Sequence, residues 1–401
     1  MERVVITGIG QVSAVGAGSS ALWDALVSAR PPEQVCRFPG LGEYAAIRIA
    51  DWNAEAYLPF ALVRRADFAA QVTAAASVQA LADAGYDRAP EGAGLLLGTA
   101  WSARQSQEKV IEQYLRRGCK GVHPSDFARA SFNAPLGIAA MATGATGFSS
   151  ALMCGTALGY AVDAVRAGRA PLVCAVGLSV YAASLHEAQA EMGGAAAAAG
   201  HPPSCRPWGK VPSGFVPGEI AVAVVVESAA HAAARGARIY AELCGYATQL
   251  EHGLGLRWWS PDPEGAALFR ATLRALREAG TEPAQIGAVF STANGTRVDQ
   301  AEVSALCRVL GDRVRKVPVT SVKPVLGETY GANDALGAAV AALALHRHRM
   351  PPCGGRENGE ETEIPLLIPD RAVELPDAPA LVCCLDVGGV WNAFVLKPWT
   401  P

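Results

Sequence analysis

The chain has 401 residues, of which 51% are apolar, and its formal net charge at pH 7 is −3. This length allows one large domain or two fused halves, and the near-neutral charge argues against nucleic acid as the main partner, since phosphate binding needs a basic surface. No apolar run is long enough to cross a bilayer. The ten scattered cysteines have no zinc spacing, so we expect reduced thiols, no metal site and a cytoplasmic location.

Strand and helix patterns alternate along the chain, which favours an α/β layered fold. The first series has strands over residues 4–8, 94–98, 172–177 and 220–227, with helices over 21–29, 65–84, 105–117 and 157–167. The second has strands over residues 239–246, 286–291, 380–384 and 393–397, with helices over 265–279, 301–310 and 332–346. Residues 193–204 and 351–369 are predicted loops. This repetition predicts two halves, residues 1–235 and 236–401.

The first strand ends in Thr7-Gly8-Ile9-Gly10, a pattern that on its own is compatible with a dinucleotide-binding loop. The third glycine of that fingerprint is replaced by Ser13, and no suitable acidic ribose partner follows the next strand. The sequence therefore does not predict a nucleotide cofactor, and we expect no cofactor at all.

Seven segments, in order, resemble the β-ketoacyl-ACP synthase (ketosynthase) family. They are residues 3–16 (RVVITGIGQVSAVG), 207–219 with SGFVPGE at its end, 234–241 (ARGARIYA), 261–265 (PDPEG), 293–302 (ANGTRVDQAE), 321–332 with its Lys323 and Gly327, and the Gly388-Gly389 pair with Asn392. The resemblance implies the thiolase fold. In that fold two duplicated βαβαβαββ halves form a five-layer αβαβα sandwich, and the protein is normally dimeric.

An active ketosynthase needs a nucleophilic Cys at a strand-to-helix elbow and two His. Counting back from residues 165–170 (VRAGRA) puts the nucleophile position at Ala151, which carries no nucleophile. Cys154 is expected one turn into the following helix, pointing away from the elbow. The resemblance thus implies that the nucleophile has been lost.

The two histidine positions of the family are occupied by Asn294 and Glu328. Asn cannot shuttle a proton near neutral pH, and an ionised carboxylate is acceptor-only and would repel an enolate. Lys323 and Glu302 remain at family positions, where the resemblance implies a structural charged network.

Loss of all three catalytic residues within otherwise recognisable motifs resembles the chain-length factor, the ketosynthase β-subunit of type II polyketide synthases. The resemblance implies a heterodimer with an active ketosynthase, which acts on chains held by an acyl carrier protein. Aromatic-polyketide chain-length factors usually carry Gln where this chain has Ala151, and Gly327-Glu328 also departs from their pattern. These departures favour the partner subunits of reducing, polyene-making systems.

In chain-length factors the floor of the acyl tunnel lies near the dimer interface. The matching segments here are residues 105–117 and 127–141, and their bulky apolar residues are candidates for controlling chain length: Val110, Ile111, Tyr114, Phe127, Phe132 and Met141. Plain core packing is the alternative for each of them. A basic cluster at Arg116, Arg117 and Lys120 is either a carrier-protein contact or a solvated helix end.

Two other functions stay open at this point. One is a stand-alone acyltransferase or decarboxylase that uses Cys154 with Glu328. The other is a non-enzymatic acyl-binding homodimer.

Overall fold

The structure is a computed structural model that describes residues 2–29, 35–38, 40–196, 205–355 and 364–400. The predicted loops fall partly outside these residues, at 197–204 and 356–363. The described strands are β1 (Val4–Ser13), β2 (Gly16–Ala17), β3 (Val35–Phe38), β4 (Gly42–Ala45), β5 (Gly94–Thr99), β6 (Ser149–Met153), β7 (Leu172–Ser179), β8 (Ile220–Ser228), β9 (Ala241–Leu250), β10 (Ala288–Ser291), β11 (Val319–Ser321), β12 (Arg349–Met350), β13 (Val373–Glu374), β14 (Ala380–Asp386) and β15 (Val390–Lys397).

The described α-helices are α1 (Ser19–Ser28), α2 (Phe60–Val63), α3 (Phe68–Asp83), α4 (Arg104–Arg117), α5 (Pro124–Arg129), α6 (Ala134–Thr143), α7 (Ala157–Arg166), α8 (Ala183–Glu191), α9 (Ala229–Ala234), α10 (Ala266–Glu278), α11 (Val298–Leu310), α12 (Lys323–Leu326) and α13 (Asn333–His346). The elements predicted from the sequence are all present as the predicted type. Helix α3 starts later than predicted because the Asp67 side chain caps it, accepting a hydrogen bond from the Ala70 N–H at 2.9 Å.

The main sheet runs in the order β11-β10-β14-β15-β9-β1-β8-β7-β5-β6. When the five sheet strands of each half are numbered in chain order, both halves run 3-2-4-5-1 from the edge of the sheet to its centre. The fifth strand of each half, β8 or β15, is antiparallel to both of its neighbours. The halves meet where β1 pairs with β9, with Val4 opposite Leu243. This repeat confirms the predicted thiolase fold with duplicated halves. The boundary at residues 235 and 236 stays a prediction.

Three large apolar cores lie among the five layers of the fold, one in the middle and one beneath each outer helix layer. Helices α7 and α13 lie in the middle, in a core that takes side chains from the strands of both halves. Helices α3 and α6 cover the outer face of the N-terminal half, and α10 and α11 cover that of the C-terminal half. Helix α13 is buried almost all round, and its many alanines let both sheets approach closely. Its position brings its first residues, Asn333 and Asp334, into the centre of the molecule.

The Thr7–Gly10 motif lies inside β1, where it packs against α3 rather than forming a strand-to-helix turn. A Cβ added at Gly8 would lie 2.1 Å from the Ala80 carbonyl oxygen, and one at Gly10 would lie 2.2 Å from that of Ala76. These glycines are required for close approach of helix and strand. The dinucleotide-loop interpretation of the motif is therefore wrong.

None of the helices in the described part of the chain combines the length and the apolar character that a membrane span requires.

Candidate active site

The strand-to-helix elbow between β6 and α7 consists of Cys154, Gly155 and Thr156. Ala151 is an internal residue of β6, paired in parallel with Leu97 of β5. The expectation that Cys154 lies one turn inside the helix is wrong. Strand β6 stays paired with β5 as far as Met153, so the turn comes three residues later than the count from the helix suggested.

Cys154 itself adopts the left-handed conformation, with φ of 68°. This conformation is strained for a residue with a side chain and is common at functional turns. The backbone N–H of Cys154 donates to the Thr99 carbonyl at 3.1 Å, and its thiol donates to the Val387 carbonyl at 3.3 Å. The elbow is thus held between β5 and the turn that follows β14.

The Cys154 thiol faces carboxylates rather than a base. Burial, followed by the charges of Asp386 and Asp334, raises the pKa of this thiol to about 12. Because the thiolate is the nucleophilic form of cysteine, such a thiol is almost entirely unreactive near neutral pH. The elbow therefore holds a nucleophile-type residue without the groups that would activate it.

Asp334 and Asp386 are site residues that the sequence analysis missed, as is their neighbour Asn333. The Asn392 side-chain amide bonds both oxygens of Asp334 at 3.2 Å and the Gly155 carbonyl at 2.9 Å. Burial raises the pKa of the Asp334 carboxyl well above its usual range and that of Asp386 to about 7. A charged residue at the start of an otherwise Ala-rich apolar helix was the available signal for Asp334.

Asn294 and Glu328 lie in contact, and together with Lys323 and Asn333 they form what we term the Glu328 network. The Asn294 amide donates to Glu328 Oε2 at 2.8 Å, whereas Lys323 Nζ donates to Oε1 at 2.8 Å. The Asn333 amide and the Tyr330 N–H also donate to Oε1, at 2.9 and 3.0 Å. Both carboxylate oxygens of Glu328 are therefore satisfied, and the lysine compensates its charge.

Lys323 and Glu302 were expected to share one network, but their described hydrogen bonds go to different groups. Lys323 bonds Glu328 and the Asn333 side chain. Glu302 bonds the Ser291 hydroxyl and the Thr292 N–H, and burial raises its pKa to about 7. Glu302 thus holds the end of β10 beneath the site, a structural contact of its own.

The residues proposed to control chain length lie on the surface of the single chain. Val110, Ile111 and Tyr114 are on α4, Phe127 is on α5, Phe132 precedes α6 and Met141 is on α6. Four of these side chains are exposed, and Val110 and Phe132 are half-buried. Because four of the six side chains are exposed on the isolated chain, a tunnel wall built from them requires a second surface to close it.

Strand β6 is the edge strand beside this surface, and its free edge has no partner among the described residues. Helix α4 packs on α5, α5 on α6, and α6 on β6, so the elements that carry the exposed apolar side chains adjoin one another and that edge. Met153 of β6 and Tyr160 of α7 extend the same apolar face. An unpaired edge flanked by exposed apolar residues is typical of an interface with another chain.

No group of three or more His, Cys, Asp or Glu side chains suited to holding a metal ion occurs within the described ranges.

The sequence matches the β-ketoacyl synthase N-terminal domain over residues 50–232 and the β-ketoacyl synthase C-terminal domain over residues 240–356. The chain belongs to the β-ketoacyl synthase family. Granaticin polyketide putative β-ketoacyl synthase 1 of Streptomyces violaceoruber is 32% identical to it, with 98% of each chain covered. A 3-oxoacyl-(acyl-carrier-protein) synthase 2 of Coxiella burnetii is 28% identical, covering 99% of this chain and 98% of its own length.

Among solved structures, the ishigamide ketosynthase/chain length factor superimposes with a TM-score of 0.87 at 25% identity, covering all of both chains. Its name joins a ketosynthase with a chain length factor, so family membership alone does not decide whether this β-ketoacyl synthase homologue catalyses condensation. That question depends on the site.

Proposed function

We propose that this chain is a non-catalytic chain-length-factor subunit that pairs with an active ketosynthase and shapes its acyl tunnel. The observation that carries this proposal is the orientation of the polar groups in the site. Asn294 and Glu328 bond each other and their neighbours, and Cys154 faces two carboxylates. A condensing site instead needs an activated thiol and donors that stabilise developing negative charge.

The apolar face around β6 supports the pairing. A partner that added a strand or packed against this edge would bury Tyr114, Phe127 and Met141 and turn them into tunnel walls. The partner would supply the Cys and both His, and this chain would supply interface and tunnel floor. We propose the cytoplasm as the compartment.

The test is co-expression with a ketosynthase that has an intact Cys-His-His set, followed by size-exclusion chromatography. Met153→Asp places a charge on the proposed interface, and Leu256→Asp is its matched control, since these side chains are 65% and 66% exposed. We expect the wild type and Leu256→Asp to co-elute with the ketosynthase and Met153→Asp to elute alone. A wild-type chain that is a stable homodimer and does not bind the ketosynthase would contradict the proposal.

The carrier protein has two candidate contacts on this chain. Arg116, Arg117 and Lys120 are exposed at the end of α4, where Arg116 pairs with Glu112. A second candidate is a cavity of about 350 Å³ between α3, α5 and α6, whose lining includes the apolar Ile138 and Met141 and the charged Arg65, Asp67 and Arg129. An acidic carrier that presents apolar side chains suits the second surface better, because that surface offers arginines to the acidic side chains and apolar residues to the apolar ones.

A stand-alone acyltransferase is the second candidate, because Cys154 does occupy the strained elbow position. It predicts that the isolated chain becomes acylated by a thioester substrate and that Cys154→Ser abolishes the labelling. Absence of labelling in the wild-type chain would eliminate it.

A further inference from the structure

The Asp386 carboxylate lies against the backbone of the elbow. Its Oδ1 accepts a hydrogen bond from the Val387 N–H at 2.6 Å, in the turn whose Val387 carbonyl accepts a hydrogen bond from the Cys154 thiol. A Cβ added at Gly155 would lie 3.2 Å from Asp386 Oδ2 and 2.9 Å from Asp334 Oδ1. Two carboxyl groups from different elements therefore converge on one glycine, beside the thiol of Cys154.

Asp386 is only 1% exposed, and its Oδ2 has no hydrogen-bond partner among the described residues. This oxygen is directed at the elbow, at the N-terminal end of α7. Backbone N–H groups at such a place are general anion-binding groups, and the helix dipole adds to their attraction for negative charge. Here the anion is part of the chain itself.

We propose that Asp386 is an internal anion that occupies the Val387 N–H, places its second oxygen against the elbow at Gly155 and, together with Asp334, suppresses the nucleophilicity of Cys154. A thioester carbonyl that approached the thiol would find the Val387 N–H already engaged and a carboxylate oxygen beside Gly155. Its developing oxyanion would face a carboxylate instead of free donors. The elbow is thus inhibited from within, whichever overall function the chain performs.

The charges around Asp386 come from three elements. Asp334 belongs to α13, Lys323 to α12, and Glu328 follows α12. Asp334 and Glu328 are negative neighbours, whereas Lys323 is the positive one and is bonded directly to Glu328. Removing the carboxylate of Asp386 therefore leaves the Glu328 network with its lysine, and the change is confined to the elbow.

Alkylation of the full chain with iodoacetamide tests the suppression, with peptide mass spectrometry reading Cys154 from pH 7 to 10. The exposed Cys119 serves as the internal standard. We expect Cys154 in the wild type to react far more slowly than Cys119, and Asp386→Asn to accelerate Cys154 at pH 8 by ~10-fold, the effect of one pKa unit. Asp312→Asn, an exposed site, is the charge-matched control. Equal Cys154 rates in the wild type and Asp386→Asn would overturn the proposal.

The anion-site part of the proposal needs a second comparison, between iodoacetamide and negatively charged iodoacetate. Asp386→Ala removes the internal anion and frees the Val387 N–H. The iodoacetate-to-iodoacetamide rate ratio at Cys154 should then rise several-fold above both wild type and Asp386→Asn, with no change at Cys119. An unchanged ratio would refute the internal-anion role. Should Asp386 variants not fold, Asp334→Asn must accelerate Cys154 in the same direction, and failure to do so contradicts the proposal equally.

Discussion

The Glu328 network and the Cys154 elbow lie side by side in the same buried site, joined through the neighbours Asn333 and Asp334. In the network each oxygen of Glu328 has a donor, and Lys323 balances its charge. At the elbow, the backbone of Cys154 is strained, and Asp386 has one oxygen without a hydrogen-bond partner among the described residues. One region has thus become a satisfied structural unit, whereas the other keeps the geometry of a reactive turn under electrostatic suppression.

This difference distinguishes two ways in which a catalytic scaffold can be inactive. Polar groups that are buried in hydrogen-bonded pairs lower the folding stability little and fix the local structure. A buried carboxylate without a matching donor lowers the folding stability, which points to a role other than structural. We therefore expect mutations in the network to act on folding, and mutations at the elbow to act on reactivity and on the pH dependence of stability.

The largest effect is expected from Lys323→Met. It leaves Glu328 buried among dipoles without its cation, and breaking such a buried pair typically costs ~3–5 kcal/mol of unfolding free energy. Urea denaturation at pH 7 measures this loss. The double variant Lys323→Met, Glu328→Met should recover most of it, because no charge is then left uncompensated. A loss below ~1 kcal/mol for the single variant would show that the network is not the closed unit described above.

The second effect is a fall in stability as pH rises, which originates at the elbow. Burial raises the pKa of Asp386 to about 7, far above its value in an unfolded chain. A carboxyl whose pKa is raised by folding stabilises the protein at low pH, and this contribution is lost as pH rises from about 4 through 7, by at most ~1.4 kcal/mol per pH unit.

Asp386→Asn should flatten that dependence, since the amide does not titrate. Denaturation at pH 5 and pH 7.5 compares the two proteins, and the wild type should lose more stability between them. Glu302 also has a pKa raised to about 7 and contributes the same sign of slope, so the variant reduces the slope without abolishing it. Parallel curves for the two proteins would show that folding does not raise the pKa of Asp386.

Asn294→Ala should have a smaller effect, of ~1–3 kcal/mol, because Glu328 Oε2 loses its donor while Lys323 still compensates the charge. The control is Asn53→Ala, at an exposed cap whose side chain accepts one hydrogen bond from the Glu55 N–H. Urea denaturation should rank Lys323→Met, Asn294→Ala and Asn53→Ala in that order. An Asn294 cost no greater than the Asn53 cost would contradict its role in the network.

The sequence predicted the duplicated fold and its elements, because long apolar periodicities and the order of motifs depend little on single residues. It also identified Asn294, Glu328 and Lys323, which the structure brings into contact. It misplaced the elbow because the end of a strand depends on pairing with β5, which local sequence does not reveal. Asp386 was missed because its importance comes from the approach of β14 to α7, residues more than 200 positions apart.

The smallest effect on stability, and the clearest test of the apolar face, concerns the predicted gate residues. Val110→Trp and Tyr114→Ala lie on exposed or half-buried positions of α4, so each should change the unfolding free energy by less than ~0.5 kcal/mol. In the complex with an active ketosynthase, however, Val110→Trp should shorten the product and Tyr114→Ala should lengthen it, because a bulky side chain blocks a close-packed tube. Mass spectrometry of the released acyl chains measures both. Product lengths that stay constant while the complex remains intact would exclude α4 from the tunnel wall without affecting the suppression of Cys154.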